Sequence, residues 1–254
     1  MSVSILLRTA ALLLCALISL SSPLSAGIQQ TDRTSRMLAI SSTTPLTLRA
    51  TVGDITVIGR NQPGVTVEIT RHAPTPGQLT SIAIAVETGK GHASVSALQP
   101  AGDTDAARRG SILVHVPFNQ VFGQVELFEG TISLTNLRGG VSAHVEHGSI
   151  EAVSLAGRIR LETGIGDVRL HDAELTDGIR LRAFNGNVTL GFPSRPLDAR
   201  ILALSMDGAI QSDLPLTLKT AFGPRFGELT LGRGSPVVSI DVVHGNIRIG
   251  SRQP

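Results

Sequence analysis

The stretches HGSIEA, IGDVRL, NGNVTL and DGAIQS repeat one unit: a glycine, a small or polar residue, then Ile or Val, usually with another apolar residue two positions on. The unit occurs at Gly53, Gly130, Gly148, Gly166, Gly186, Gly208 and Gly245. From Gly130 to Gly208 the steps are 18, 18, 20 and 22 residues. A recurrence of this length constrains the fold more than any single motif, because one such unit cannot bury its own apolar face and must lean on its neighbours. No heptad or 3.6-residue period competes with it.

Each unit holds two runs of period two, the spacing of a half-buried strand. Val141, Ala143 and Val145 point one way, as do Ile150 with Ala152, Ile159 with Leu161, and Val168 with Leu170. Ile179, Leu181 and Ala183 follow, then Val188 and Leu190. The alternate positions carry Arg, Glu, His, Ser and Thr and should face water. His147, Asn185, Asp207 and His244 precede repeat glycines and tolerate a left-handed backbone, while glycine takes positive φ without steric cost. Each such pair therefore reads as a tight turn between two strands. Gly130, Gly148, Gly166, Gly186 and Gly208 are the structural residues on which the fold should depend.

Two all-β architectures share this pattern. In an antiparallel hairpin meander, the turn at Asn185-Gly186 would pair Ala183 with Val188 and Leu181 with Leu190. In a β-solenoid of 18–22-residue coils, each turn is a corner and successive coils stack. Tyr and Trp are absent and Phe occurs only seven times, so the core is built from Val, Ile, Leu and Ala. That thin, repetitive interior and the near-constant step favour stacking, and the face pattern leaves the meander open.

The first residues read as an export signal: Arg8 in a short n-region, the apolar run TAALLLCALISL, then SSPLSA with Pro23 as a breaker. Residues 1–26 form the signal peptide, cleaved after Ala26. An uncleaved anchor would need roughly 20 apolar residues, more than this run supplies. Cys15, the single cysteine, lies within it, so the exported protein has no thiol. Residues 27–254 read as a single domain, irregular to about 120, regularly repeated over about 121–215, and closed by a coil at about 216–250. The irregular segments APTPGQ, QPAGDTDAARRG and PLTLKTAFGPRFGELTLGRGSP suit end caps, which a stack needs to cover its open strand edges.

A formal charge of +2 without a basic run, and without Tyr or Trp to stack bases, argues against nucleic acid. His144, Glu146 and His147 suit zinc by residue type, but strand alternation separates them, and the plain reading is two solvated side chains and a turn histidine. Asp54, Asp103 and Asp167 invite calcium, yet a β-roll needs Asp at the same place in nearly every turn, and here that place holds Asp, Thr, Ser, Asp, Asn, Ala and Asn. Gly164-x-Gly166 is followed by no helix, against a dinucleotide site. Gly232 to Pro236 lacks the nucleophile-elbow form. Asn187-Val188-Thr189 fits a glycosylation sequon, or simply a strand after a turn. Glu151, Glu162, Arg158, Arg160 and Arg169 alternate outward, as paired carboxylates on a glycan-active β-helix would, or as a solvated, charge-balanced face. No residue is assigned a catalytic, cofactor-binding or metal role, and the chain is expected not to be an enzyme.

With VGDITVIG near the start, the ladder of repeats, and the closing LGRGSPVVSIDVVHGNIRIG, the chain resembles the DUF4097 family of adhesin-like proteins and the related auto-transporter adhesin head GIN domain family. The resemblance spans roughly Leu46 to Gly250. It implies a β-solenoid in an exported or envelope-associated protein and carries no catalytic residues. The expectation is an exported scaffold (periplasmic, cell-surface or secreted) whose repetitive surface meets a cell-envelope component or another copy of itself. A soluble periplasmic ligand binder is the alternative, and a glycan-active enzyme a further one.

Overall fold

The computed structural model describes residues 30–89, 91–194, 196, 198–219 and 223–251. The export segment read at 1–26, with Cys15, lies outside them. The fold is all-β: among the described residues there are eighteen strands and one short helix, Pro76–Ser81, and these strands join into one continuous sheet.

Equivalent residues of successive repeats pair in parallel and in register. Ile132 lies beside Ile150, Ile150 beside Val168, Val168 beside Val188, Val188 beside Ile247, and Ile247 beside Ile210. Ile55 and Ile112 extend this column at the other end. Before the corner, Leu48, Val125, Ala143, Leu161, Leu181, Ile240 and Ala203 form a second column. All fourteen inward positions expected from Val141 to Leu190 are buried. β-Branched residues suit such columns because they pack closely on a pleated surface.

The hairpin pairs are not formed. Ala183 pairs with Thr163 and Val242, and Val188 with Val168 and Ile247. Antiparallel pairing is confined to the ends of the stack. At one end Gln30–Leu38 pairs with Val65–Ala73, which pairs with Arg109–Pro117, while Ala83–Gly89 pairs with His92–Leu98. At the other, Arg225–Leu231 covers Ala199–Asp207 and pairs with Thr217–Lys219.

The repeat glycine alone takes the unusual backbone. Its φ lies between 135° and 157° at all seven positions, whereas His147, Asn185, Asp207 and His244 keep ordinary negative values, contrary to the turn geometry read from the sequence. A Cβ on Gly148 would stand 1.8 Å from the carbonyl oxygen of Gly130. The chain bends there while its layer touches the next one backbone to backbone.

The residue after the glycine forms a hydrogen-bond ladder along the stack. Oδ1 of Asp54 accepts the Thr131 N–H at 3.2 Å, and Oδ1 of Asp167 accepts the Asn187 N–H at 2.9 Å. Oδ1 of Asn187 then accepts from Asn246 at 3.0 Å, and Oδ1 of Asn246 accepts from Ala209 at 2.9 Å. Asp, Ser or Asn at this place supplies a short acceptor to the neighbouring layer. Ala suffices in the Gly208 layer because Ile210–Ser212 pairs with Ile247–Ser251 on one side and, among the described residues, no layer lies beyond it. Asn187→Ala should therefore cost about 1–2 kcal/mol, a lost bond plus a stranded donor, in chemical denaturation followed by far-UV circular dichroism. Ala209→Asn should stay within about 0.5 kcal/mol of the parent.

Layer order departs from chain order. Val237–His244 pairs with Ile179–Asn185 on one side and Ala199–Asp207 on the other. The Gly245 layer thus lies between those of Gly186 and Gly208. The segment read as a closing coil splits in two: Arg225–Leu231 caps the stack, and residues 237–251 are inserted inside it. Repeat spacing carries no information on such an insertion, since the spacing is the same whichever layers become neighbours.

Candidate functional site

One or two residues before the corner glycines from Gly130 to Gly245, outward side chains line one edge of the stack. Phe128, Ile165, Phe184 and Met206 occupy it, 39%, 51%, 56% and 49% exposed. Two of the seven Phe residues thus lie on this edge, and Phe118 is exposed elsewhere. Phe128 stacks on His147 with ring centroids 5.2 Å apart, and Phe184 meets His244 edge-on at 5.9 Å. Along the stack the edge carries Phe128, His147, Ile165, Phe184, His244 and Met206 in two adjoining positions: His147, Ile165 and His244 share a register column with Glu129, Asn185 and Asp207, and Phe128, Phe184 and Met206 stand one residue before that column. At about 4.8 Å per layer the strip is about 24 Å long. Contiguous exposed apolar residues rimmed by polar ones mark interaction surfaces more often than isolated exposed residues do.

On one side of this edge the outward row is Arg49, Glu126, His144, Glu162, Arg182, Asp241, all in register and largely alternating in charge. Arg49 reaches Glu126 at 2.9 Å. His144 Nε2 lies 3.3 Å from Glu146, but His147 turns away onto Phe128, so the three are not brought to one point. Among the described residues no group of three His, Cys, Asp or Glu is placed to hold a metal ion.

The remaining sequence candidates are dispersed. Glu162 binds Arg160 Nε at 2.8 Å before the corner, while Glu151 meets Arg169 at 3.4 Å after it, on the other face. Arg158 faces Asp177 at 3.7 Å. Asp54 and Asp167 belong to the ladder, three layers apart, and Asp103 pairs with Arg108 in the separate loop. Gly164 and Gly166 lead into the strand Val168–His171, and Gly232 to Pro236 is a loop. The Asn187 amide donates to Asp167 at 3.2 Å. His115, at the far end, is held below its ordinary value of 6.5 first by burial and then by Arg60, so it is neutral at pH 7.

A second concavity lies at a different corner. Gly191 and Gly250 are paired in register with no side chain, leaving a depression of about 390 Å³ bordered by His171, Asp213, Thr189 and Arg248. Through Phe192 it continues into a space of about 530 Å³ beside Pro193, Asp198 and Arg233.

This corner was legible and missed. Asn136, Ser154 and Asp172 adopt φ of 56°, 56° and 53°. Each falls six residues after its repeat glycine, and Gly59 does so after Gly53. Small polar residues at that offset mark a second left-handed position in three successive repeats, while Gly59 and Phe192 hold the same offset without a positive φ.

The family model described as Toastrack DUF4097 matches residues 27–250. No curated protein matches the chain. Among solved structures, a "putative cell adhesion protein" from Clostridium sporogenes ATCC 15579 is 11% identical, with 88% of this chain and 100% of that one covered and a TM-score of 0.48. A "putative adhesin" from Bacteroides fragilis NCTC 9343 is 14% identical over 87% of this chain and 97% of its own, with a TM-score of 0.40. A "putative lipid binding protein" from Parabacteroides distasonis ATCC 8503 is 10% identical over the same shares, at 0.31.

Proposed function

This chain belongs to the Toastrack DUF4097 family, and on that premise we propose that it is an exported, non-catalytic β-solenoid that presents a stiff, repetitive surface to a component of the cell envelope. Stiffness comes from layer upon layer of in-register backbone pairing over an aliphatic core. Export is supported by the apolar run before Ala26, and among the described residues no helix is long and apolar enough to cross a membrane. The observation that carries the contact role is the exposed strip of Phe128, Ile165, Phe184 and Met206. Apolar and aromatic side chains fixed on a rigid edge lose little entropy on docking.

The test is co-sedimentation of the purified protein with envelopes from its source, at low and high salt. Detection uses a tag or absorbance at 205 nm, since Tyr and Trp are absent. Salt-resistant pelleting is expected, and Phe128→Ser with Phe184→Ser should weaken it at least tenfold, the loss of about 1.4 kcal/mol or more. A protein that stays in the supernatant sinks the envelope reading. Pelleting without envelopes, rising with protein concentration, would assign the strip to a second copy instead.

The depression beside Gly191 and Gly250 favours a second reading, a soluble ligand binder, because it is a concavity in which His171, Asp213 and Arg248 border apolar surface from Val153, Leu190 and Phe192. A glycan panel in which binding is lost on Gly191→Val, with envelope pelleting unchanged, would support that reading over the first.

A further inference from the structure

Cross-strand charges on this molecule alternate or meet neutral partners, with one exception. Arg160 and Arg180 stand directly opposite each other in register. They are the one pair of like full charges so placed among the described residues. Like charges directly opposite destabilise a sheet, and a local rule broken without structural gain is characteristic of a functional position.

Serine hydroxyls flank the pair along its row, and Ile159, Ile179 and Val237 line the space beside it. Ser142 precedes Arg160 in the row, and Ser239 follows Arg180. In the neighbouring row Arg158 lies beside Gly178, whose missing side chain leaves a notch of about 250 Å³. Arg158, Arg160, Arg180 and Ser239 all line it. Their carboxylate partners do not close the notch. Glu162 takes only the Nε of Arg160, at 2.8 Å. Asp177 is 3.7 Å from Arg158, and Asp241 3.8 Å from Arg180, both beyond hydrogen-bond length. The guanidinium side chains remain 81%, 51% and 48% exposed for Arg158, Arg160 and Arg180.

We propose that the Gly178 notch binds an oxyanion, a sulfate, phosphate or carboxylate group, held between Arg160 and Arg180 and covered by Arg158. Planar guanidinium groups match such anions with paired N–H donors, and the bound charge turns the Arg160/Arg180 repulsion into a shared attraction. The site is independent of the envelope reading, since it lies on a flat face away from the apolar edge.

The experiment titrates purified protein at constant ionic strength with sodium sulfate, sodium phosphate or methyl glucuronide, replacing chloride, and follows the arginine Nε–Hε NMR signals together with thermal unfolding. Saturating shifts confined to Arg158, Arg160 and Arg180, with a rise in midpoint temperature, are expected. Tighter binding of the glucuronide than of the inorganic ions would assign the anion to an acidic sugar, and the reverse order to a free ion or phosphate monoester; either supports the site. Arg180→Gln supplies the decisive contrast. In chloride at low ionic strength it should raise the midpoint by about 1–3 °C through relief of the like-charge pair, while abolishing the response to sulfate. Shifts spread evenly over all surface arginines, or an Arg180→Gln protein that is less stable and still responds to sulfate, would overturn the proposal.

Discussion

Gly148→Ala is expected to cost at least about 3 kcal/mol, a fall in unfolding midpoint of roughly 6–12 °C for a chain of this size. The argument has two parts. At φ 144° an L-residue is strained, which costs about 1–3 kcal/mol. Separately, the new Cβ would stand 1.8 Å from the Gly130 oxygen and 2.8 Å from its carbonyl carbon. Both are backbone atoms and cannot swing aside, so two layers must part by more than 1 Å where they lie about 4.8 Å apart. Two controls separate these effects. Gly102 has φ 79° with no atom within 4 Å of its Cβ position, and Gly77 has ordinary φ and equally open space. Gly102→Ala should show the backbone strain alone, and Gly77→Ala, in the first turn of the short helix, should be neutral or slightly stabilising. Thermal unfolding should rank the three Gly77, Gly102, Gly148. Equal losses at Gly102 and Gly148 would mean that the layers do not touch at the glycine column.

That column shows what the sequence discloses and what it withholds. Strand-forming runs, inward residues and the place of each bend follow from local rules, because alternation and glycine chemistry act within a few residues. Thus Ile150 and Val168 could be placed in the core, and Gly148 at a bend, without knowing what lay beside them. The partner across the sheet is a different matter. Hairpin and stacked corner impose the same in-out pattern at Asn185-Gly186, so the parallel pairing of Val188 with Val168 was not decidable from faces alone. The ladder of Asp167, Asn187 and Asn246 shows in the sequence as a column of residue types. Its role as a set of acceptors for the next layer depends on register. The exposed edge was harder still. Phe128 and Phe184 belong to different strands, and they share an edge only because every layer bends at the same glycine.

Deletion of residues 237–254 is expected to dismantle the distal half of the stack, where a terminal coil would merely have peeled away. The deleted strands carry Val238, Ile240, Val242, Ile247 and Ile249, each 0–1% exposed. At roughly 1.5–3 kcal/mol for each buried side chain, their removal forfeits on the order of 10 kcal/mol, comparable with the whole stability of a typical domain. Backbone pairing is lost on two sides at once: Gly186 N–H donates to His244 at 2.9 Å, and Gly245 N–H donates to Asp207 at 3.0 Å. Both neighbouring layers are left with open edges, and the cap formed by Arg225–Leu231 and Thr217–Lys219 rests on a layer that has lost its support. Because each layer contacts only those beside it, the damage should stop short of the Gly53 to Gly148 layers. Hydrogen exchange on the truncated protein should show protection kept around residues 125–153 and lost across 179–231. Addition of a peptide spanning residues 237–251 should restore it in proportion to peptide occupancy. Protection retained across 179–212 without the peptide would mean that the Gly208 layer can stack directly on that of Gly186, and the inserted layer would then be dispensable. The stack as it stands cannot be completed until its last residues arrive, so on the export reading the distal half stays open while the chain is being delivered. Those open edges then make residues 237–251 a folding requirement.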